Sequence, residues 1–152
     1  MLDMQRSGDP VALAQELFAA GVRLLQLRDK ETRPRVTLSV AREIKRIAPK
    51  DAALIMNDRA DLCLAAGFGG VHVGQDDLSP EAARRVCPQP LVVGVSTHSL
   101  GQVREADAGP ADYIAFGPVF GTTSKATPRP RPAATRIRGG RGWPDIEDLL
   151  RA

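Results

Sequence analysis

The sequence is poor in cysteine and in aromatic residues. It has two cysteines, Cys63 and Cys87, and aromatic residues make up 4% of its 152 residues. The two cysteines form no C-x-x-C pair, and neither has a histidine at metal-ligand spacing, so we expect neither a disulfide framework nor a zinc site. We expect both thiols to be buried and reduced, as is typical of a cytoplasmic protein.

Long apolar runs are also missing. No stretch is long enough to span a membrane, and the first residues do not follow the pattern of a signal peptide. Hydrophobic residues make up 43% and charged residues 26% of the chain, which is typical of soluble globular proteins. We therefore expect a soluble cytoplasmic protein that has no membrane partner.

An excess of charge of one sign is absent from most of the chain. The formal net charge is +3, and residues 126–152, with six arginines and three acidic residues, carry all of it. No aromatic residues alternate with these arginines, as they would in a surface that stacks on bases. We therefore expect no nucleic-acid partner.

Short apolar runs alternate with amphipathic segments over residues 10–125. The apolar runs end in polar clusters that begin at Arg28, Asn57, Gly74, Ser96 and Gly117. Apolar strands that alternate with helices predict a parallel sheet, either in a (β/α)₈ barrel or in an open doubly wound fold. No G-x-G-x-x-G motif follows the first predicted strand, which argues against a dinucleotide-binding fold.

The two ends of the chain do not follow this pattern. Residues 1–8 show no periodicity, and residues 126–152 are rich in Arg, Pro and Gly without an apolar repeat. We therefore predict an α/β domain over residues 1–125 and an irregular basic tail over residues 126–152.

Charged side chains follow several of the predicted strands. The carboxyl ends of parallel strands meet at one edge of a sheet, so Arg28, Lys30, Asp58 and Asp77 are expected to lie together there. Two carboxylates and nearby cations suit Mg²⁺ and a pyrophosphate group. Each aspartate could instead simply cap the following helix, but their recurrence after successive strands favours a site. Other cations, such as Arg84, are expected to be solvated surface charges.

Further polar groups add hydrogen-bonding capacity at the same edge. Glycines and hydroxyl groups in residues 117–124 suit a second phosphate, bound through backbone N–H groups and hydroxyls. His72 lies inside a predicted strand, which favours a packed or hydrogen-bonded histidine over a catalytic base. The remaining candidates at strand ends are Gln26, Asn57, Ser96, Thr122, Thr123, Ser124 and the cation Lys125.

Five motifs resemble those of the thiamine phosphate synthase family. They occur in the family's order and spacing, and they fall within a stretch from about residue 10 to residue 125. Each motif alone is weakly specific, but five in order are a specific signal. The motifs are QLRDK (26–30), NDR (57–59), GVHVGQDD (70–77), GVSTH (94–98) and DYIAFGPVFGTTSK (112–125).

The resemblance implies a (β/α)₈ barrel and a transferase reaction. In that reaction hydroxymethylpyrimidine diphosphate is joined to hydroxyethylthiazole phosphate, and pyrophosphate is released. The resemblance assigns Mg²⁺ to Asp58 and Asp77, and the pyrimidine diphosphate to Gln26, Arg28, Lys30 and Asn57. It assigns the leaving pyrophosphate to Ser96 and Lys125, and the thiazole phosphate to Thr122, Thr123 and Ser124. Among these, Arg28, Lys30, Ser96 and Lys125 are the implied catalytic residues.

Two parts of the family pattern are not recognisable in the sequence. No strand is evident before the first helix, and no glycine-rich βα units follow Lys125. The fold class predicted is therefore an incomplete (β/α)₈ TIM barrel of about five βα units, truncated or altered by a frameshift near Ala126. Unclosed sheet edges in such a barrel would allow self-association.

Two alternatives to an active synthase stay open. One is a catalytically inactive barrel remnant, because the absent units would carry phosphate-binding turns. The other is a protein similar to the thiazole tautomerase, which shares the fold. In that branch the metal-site aspartate and the diphosphate contacts are not kept, whereas Asp58, Asp77, Arg28 and Lys30 are all present here.

Overall fold

The computed structural model describes residues 1–117 and the strand at residues 135–137. Among the described residues, no helix is both long and apolar enough to cross a membrane. The elements in chain order are β1 Leu2–Asp3, α1 Pro10–Ala19, β2 Leu24–Arg28, α2 Pro34–Ile47, β3 Ala53–Asn57, α3 Ala60–Ala66, β4 Gly70–Val73, α4 Pro80–Val86, β5 Val92–Thr97, α5 Leu100–Ala108, β6 Tyr113–Phe116 and β7 Thr135–Ile137.

The helices begin at residues suited to capping. The Asp9 side chain accepts hydrogen bonds from two backbone N–H groups of the first turn of α1, and Pro10 occupies the first helical position. Ser79 and Ser99 cap α4 and α5, each accepting one hydrogen bond from a backbone N–H of the first turn. Helix α3 ends at Gly67, whose φ of 69° is in the left-handed region that glycine adopts readily. Asp followed by Pro is a local sequence signal for a helix start, and α1 begins at this pair.

The strands form one sheet in the order in which they occur in the chain. The first six are parallel, and β7 pairs antiparallel with β6. Sequential order is typical of a barrel, whereas a doubly wound sheet reverses its order at a switch point. Within the described residues the sheet ends at β1 and β7, and closure into a complete barrel stays a prediction.

Strand β1 corrects the prediction that the first strand is missing. Leu2 pairs with Leu27 and Asp3 with Arg28, both in parallel register. Leu2 is buried at 2% exposure. A strand of two residues is too short to show a period, so the sequence pattern could not reveal it. Strand β7, which lies within the region predicted to be an irregular tail, was also not predicted.

The face of the sheet that carries the helices is apolar. In-register neighbours Leu27, Met56 and Val71 lie on this face, and each is at most 1% exposed. They join a core that includes Phe18 of α1 and Ile44 of α2. Cys63 and Cys87 are also buried in this core as free thiols, as expected.

Arg84 belongs to the structural framework, which overturns its assignment to solvated surface. Its side chain is 16% exposed and forms an ion pair with Asp112. It also donates hydrogen bonds to the carbonyl oxygens of Cys87, Leu91 and Pro110. Asp112 accepts a further hydrogen bond from the backbone N–H of Val93, with 2.7 Å between N and O. The two side chains thus connect the turns that precede β5 and β6.

The opposite face of the sheet carries a chain of hydrogen-bonded polar groups. His72 Nδ1 lies 2.8 Å from the Tyr113 hydroxyl, and His72 Nε2 lies 2.8 Å from Ser96 Oγ. His72 is 8% exposed, and burial lowers its pKa to about 4. The imidazole is therefore neutral at pH 7, and His72 is hydrogen-bonded, as its place in a strand favoured.

Gly94 lets the tyrosine reach across this face. It is the in-register neighbour of both His72 and Tyr113, so it lies between them in the sheet. A Cβ atom at Gly94 would overlap the ring and hydroxyl atoms of Tyr113. The Tyr113 ring thus occupies the space above a residue without a side chain, and its hydroxyl meets His72 on the second strand away.

The low pKa of His72 predicts a loss of stability in acid. The unfolded histidine titrates near pH 6.5, so below that pH the unfolded state binds a proton that the folded state does not. The free energy of unfolding should fall by about 3 kcal/mol between pH 7 and pH 4 through this residue alone. Urea unfolding across this range should give a shallower profile for His72→Gln than for the parent protein. Identical profiles for the two proteins would contradict this explanation.

Gly94→Ala should destabilise the protein by about 1–3 kcal/mol, because the added methyl group displaces the Tyr113 ring. Gly101→Ala is the matched control. Its Cβ would meet only Ser99 Oγ at 3.8 Å, and alanine is favoured in a helix. Equal midpoints of urea unfolding for the two variants would contradict the steric explanation. In a Tyr113→Ala background, Gly94→Ala should cost much less.

Candidate active site

The candidate site lies at the carboxyl edge of the sheet. Gln26 and Arg28 belong to the end of β2, Asn57 to the end of β3 and Ser96 to β5. The loops that follow these strands contribute Lys30, Asp58 and Asp77. Adjacent parallel strands β2 to β5 thus carry every predicted site residue that falls within the described part of the chain. Thr122, Thr123, Ser124 and Lys125 lie outside the described residues.

Asp58, Asp77 and Lys30 come together at this edge. The Lys30 ammonium lies 2.9 Å from Asp58 Oδ2, and the Asp58 side chain is 16% exposed. Burial raises the pKa of the Asp58 carboxyl, and a hydrogen bond and charge repulsion from Asp77 raise it further, against the opposing effect of Lys30. The two carboxyl groups are therefore close enough to repel each other when both are ionised.

The backbone at Asp58 has an unusual conformation. Its φ is 64°, in the left-handed region that residues other than glycine seldom adopt, although aspartate is among those that tolerate it. Its N–H donates to the His72 carbonyl oxygen over 2.7 Å, which fixes the end of β3 to β4. Strain of this kind is often found at functional sites, and here it occurs at the carboxylate closest to Lys30.

The carboxylates can hold a divalent cation. Within residues 1–117 and 135–137 there is no group of three or more His, Cys, Asp or Glu side chains suited to a metal. Mg²⁺, however, is commonly bound by one or two carboxylates, with waters and substrate phosphates completing its shell. A cation between Asp58 and Asp77 would also relieve the repulsion between them. The residues present therefore fit Mg²⁺.

Arg28 has a partner that the sequence did not reveal. It forms an ion pair with Asp3 of β1, and the two side chains are 28% and 15% exposed. The unrecognised first strand therefore supplies a carboxylate that orients one of the predicted diphosphate ligands. Register between β1 and β2, which pairs Asp3 with Arg28, is what brings the two residues together.

Ser96 is held by two neighbours. Its Oγ meets His72 Nε2, and its carbonyl oxygen accepts a hydrogen bond of 2.6 Å from Gln75 Nε2. Sequence reasoning named Ser96 but missed Gln75 and Tyr113 as parts of the site. The register of β4, β5 and β6 brings Tyr113 to His72, and register cannot be read from separate motifs.

The chain is similar in sequence to known proteins. A family model described as "Thiamine monophosphate synthase" matches residues 2–138. Thiamine-phosphate synthase of Koribacter versatilis is 53% identical over 128 residues, which are 84% of this chain and 61% of that protein. Thiamine-phosphate synthase of Anaeromyxobacter dehalogenans is 38% identical over 157 aligned positions, covering 95% of this chain and 71% of that protein.

A solved structure agrees with these matches. Thiamine phosphate pyrophosphorylase from Pyrococcus furiosus superposes with a TM-score of 0.73 and 30% sequence identity, covering 79% of this chain and 59% of that one. The chain spans 61% of the Koribacter versatilis relative and 54% of the one from Halalkalibacterium halodurans. The family model covers most of the chain, and the fold agrees with it. The chain belongs to the thiamine monophosphate synthase family.

Proposed function

We propose that this chain acts in thiamine phosphate synthesis. In the proposed reaction hydroxymethylpyrimidine diphosphate is coupled to hydroxyethylthiazole phosphate, and pyrophosphate is released. The observation that carries the proposal is the cluster of Lys30, Asp58 and Asp77 at the carboxyl edge of the sheet. Its two carboxylates can bind a divalent cation, and its Lys30 ammonium can bind phosphate oxygens. A metal-bound diphosphate requires both kinds of group.

The diphosphate would lie beside this cluster. Asp58 and Asp77 would hold Mg²⁺, which when bound neutralises charge on the diphosphate. Lys30, half exposed and next to these carboxylates, would contact the phosphate oxygens directly. Arg28, Gln26 and Asn57, at the ends of the adjacent strands, would contact the rest of the substrate.

The residues would act mainly by stabilising the leaving group. The thiazole nitrogen is already a nucleophile, so no general base is needed. Carbon–oxygen bond cleavage places negative charge on the departing pyrophosphate, and the cations at this edge would stabilise that charge as it develops. Lys125 is assigned to the same task by resemblance alone.

The hydrogen-bonded side chains of Tyr113 and His72 would orient the Ser96 hydroxyl. A neutral imidazole has one nitrogen that donates and one that accepts. If His72 Nε2 donates to Ser96 Oγ, the serine hydrogen is free to bond a phosphate oxygen. His72 Nδ1 must then accept from the Tyr113 hydroxyl, whose pKa burial raises, so that it stays protonated. Tyr113 would therefore select the histidine tautomer that makes Ser96 a donor.

Other parts of the proposal depend on the resemblance. Thr122, Thr123 and Ser124 would bind the thiazole phosphate, and they lie outside the described residues. The presence of Asp58, Asp77, Arg28 and Lys30 favours the synthase over the thiazole tautomerase branch. The proposed setting is the cytoplasm, and self-association through sheet edges stays a prediction.

Asp58→Asn should abolish most activity. Asparagine keeps the left-handed conformation accessible but removes the charge that would hold Mg²⁺. We expect kcat/KM to fall by about 100-fold or more, in line with the several kcal/mol that a catalytic metal supplies. The measurement is formation of thiamine phosphate from both substrates while the Mg²⁺ concentration is varied.

Asp61→Asn is the matched control for this experiment. Asp61 is an exposed acidic residue whose partner is Arg59, and its loss should leave turnover unchanged. If Asp58→Asn turns over normally at low Mg²⁺, the metal assignment is wrong. If the parent chain forms no thiamine phosphate from the two substrates with Mg²⁺, the proposed function itself fails.

Tyr113→Phe should lower kcat about tenfold, which corresponds to the loss of one buried hydrogen bond. KM for the thiazole phosphate should not change, because the lost bond acts on Ser96. Nitrogen NMR of the His72 ring should show a protonated Nε2 in the parent chain and a mixture of tautomers in the variant. Asp61→Asn should leave both readouts unaltered. An unchanged kcat for Tyr113→Phe would contradict the proposal that Tyr113 selects the His72 tautomer.

A further inference from the structure

Asp29 has no role in the function proposed above, although it lies between Arg28 and Lys30. Its carboxylate is the centre of a hydrogen-bond network in the loop after β2. The donors to it are Gln5 Nε2 at 2.7 Å, the backbone N–H groups of Glu31 at 3.1 Å and Thr32 at 2.9 Å, and the Thr37 hydroxyl.

These bonds join three separate segments. Gln5 follows β1, residues 31 and 32 belong to the loop after β2, and Thr37 is in the first turns of α2. Thr37 is 3% exposed and therefore offers a fixed attachment point. Burial on its own raises the pKa of Asp29, but the hydrogen bonds from Thr37, Thr32 and Gln5 together hold that pKa well below its ordinary value. The carboxylate therefore stays ionised and keeps accepting all of its bonds.

Lys30 needs such support. Its side chain is 50% exposed and forms an ion pair with Asp58. A free lysine side chain loses about 2 kcal/mol of rotamer entropy when it is fixed, and a mobile backbone would add to that cost. A loop that is fixed before the ligand arrives reduces the cost of ordering the lysine on binding.

We propose that Asp29 is a positioning residue that fixes the loop after β2, so that the Lys30 ammonium is directed at the diphosphate. The proposal rests on the proposed function, because it assumes that Lys30 binds phosphate at this edge. Asp29 would touch neither substrate nor metal. It acts through Lys30.

The test measures binding of inorganic pyrophosphate with Mg²⁺ by calorimetry, which does not require turnover. Asp29→Ala removes every hydrogen bond to this carboxylate and should weaken binding about tenfold, or about 1.4 kcal/mol. Asp29→Asn should weaken binding by less than about threefold. Its amide oxygen can still accept from the two backbone N–H groups, and the Thr37 hydroxyl can accept from its amide group.

Lys30→Met separates positioning from a general structural role. If Asp29 acts through Lys30, then adding Asp29→Ala to Lys30→Met should weaken binding by a further factor of less than about two. If the losses in binding free energy caused by Asp29→Ala and by Lys30→Met simply add in the double variant, the proposal is overturned. Thr37→Val is a near-isosteric second variant, so the test stands if Asp29→Ala does not fold. It should weaken binding about threefold, again only when Lys30 is present.

Asp112→Ala is the matched control. Asp112 also accepts bonds from a backbone N–H and from side chains, but at the amino end of β6, away from the candidate site. It should lower the unfolding temperature, because it removes these bonds and the ion pair with Arg84, while pyrophosphate binding stays unchanged. If the parent chain binds pyrophosphate and Asp29→Ala binds it equally well, the inference alone fails. If the parent chain does not bind pyrophosphate, the proposed function fails as well.

Discussion

The parallel register of the strands is the constraint on which the other features of this protein depend. In-register residues of neighbouring strands point to the same face, so one face collects Leu27, Met56 and Val71 against the helices. The other face collects His72 and its partners. A shift of one residue would exchange the two sets, burying polar groups among the helices and exposing the apolar core. The same register brings the strand ends together at the edge where the candidate site lies.

The candidate site combines groups that would be unfavourable in isolation. Asp58 is partly buried, has an uncommon backbone conformation and lies beside a second carboxyl group. Lys30 compensates part of this charge, and a divalent cation would compensate more. Close by, the neutral His72 adds hydrogen-bonding groups without adding charge. The edge is thus suited to an anionic ligand that arrives with its own metal ion.

Sequence patterns predicted much of this fold, because most of the signals are local. Asp9 with Pro10 marks a helix start without reference to the rest of the chain, and apolar runs identify the longer strands. Strand β1 could not be predicted in this way, since Leu2–Asp3 is a strand only because β2 offers it a pairing edge. Arg84 was misplaced for a related reason. Its partners lie in turns whose proximity is set by tertiary structure.

The sequence predicted which residues form the candidate site more completely than it predicted the contacts among them. Motif order named Lys30, Asp58 and Asp77, and the structure brings them together at one edge. Contacts that depend on strand register, such as Tyr113 with His72, have no local signature. The pairing of Arg28 with Asp3 escaped for the same reason, because it required the strand that the pattern did not reveal.

The close approach of Tyr113 to Gly94 also has an evolutionary consequence. A larger side chain at Gly94 is sterically incompatible with the tyrosine, and a smaller side chain at Tyr113 would leave His72 without one of its hydrogen-bond partners. Neither position can therefore drift independently of the other. Among related sequences these positions should covary, with a residue other than glycine appearing at the first only where the aromatic ring at the second has been lost.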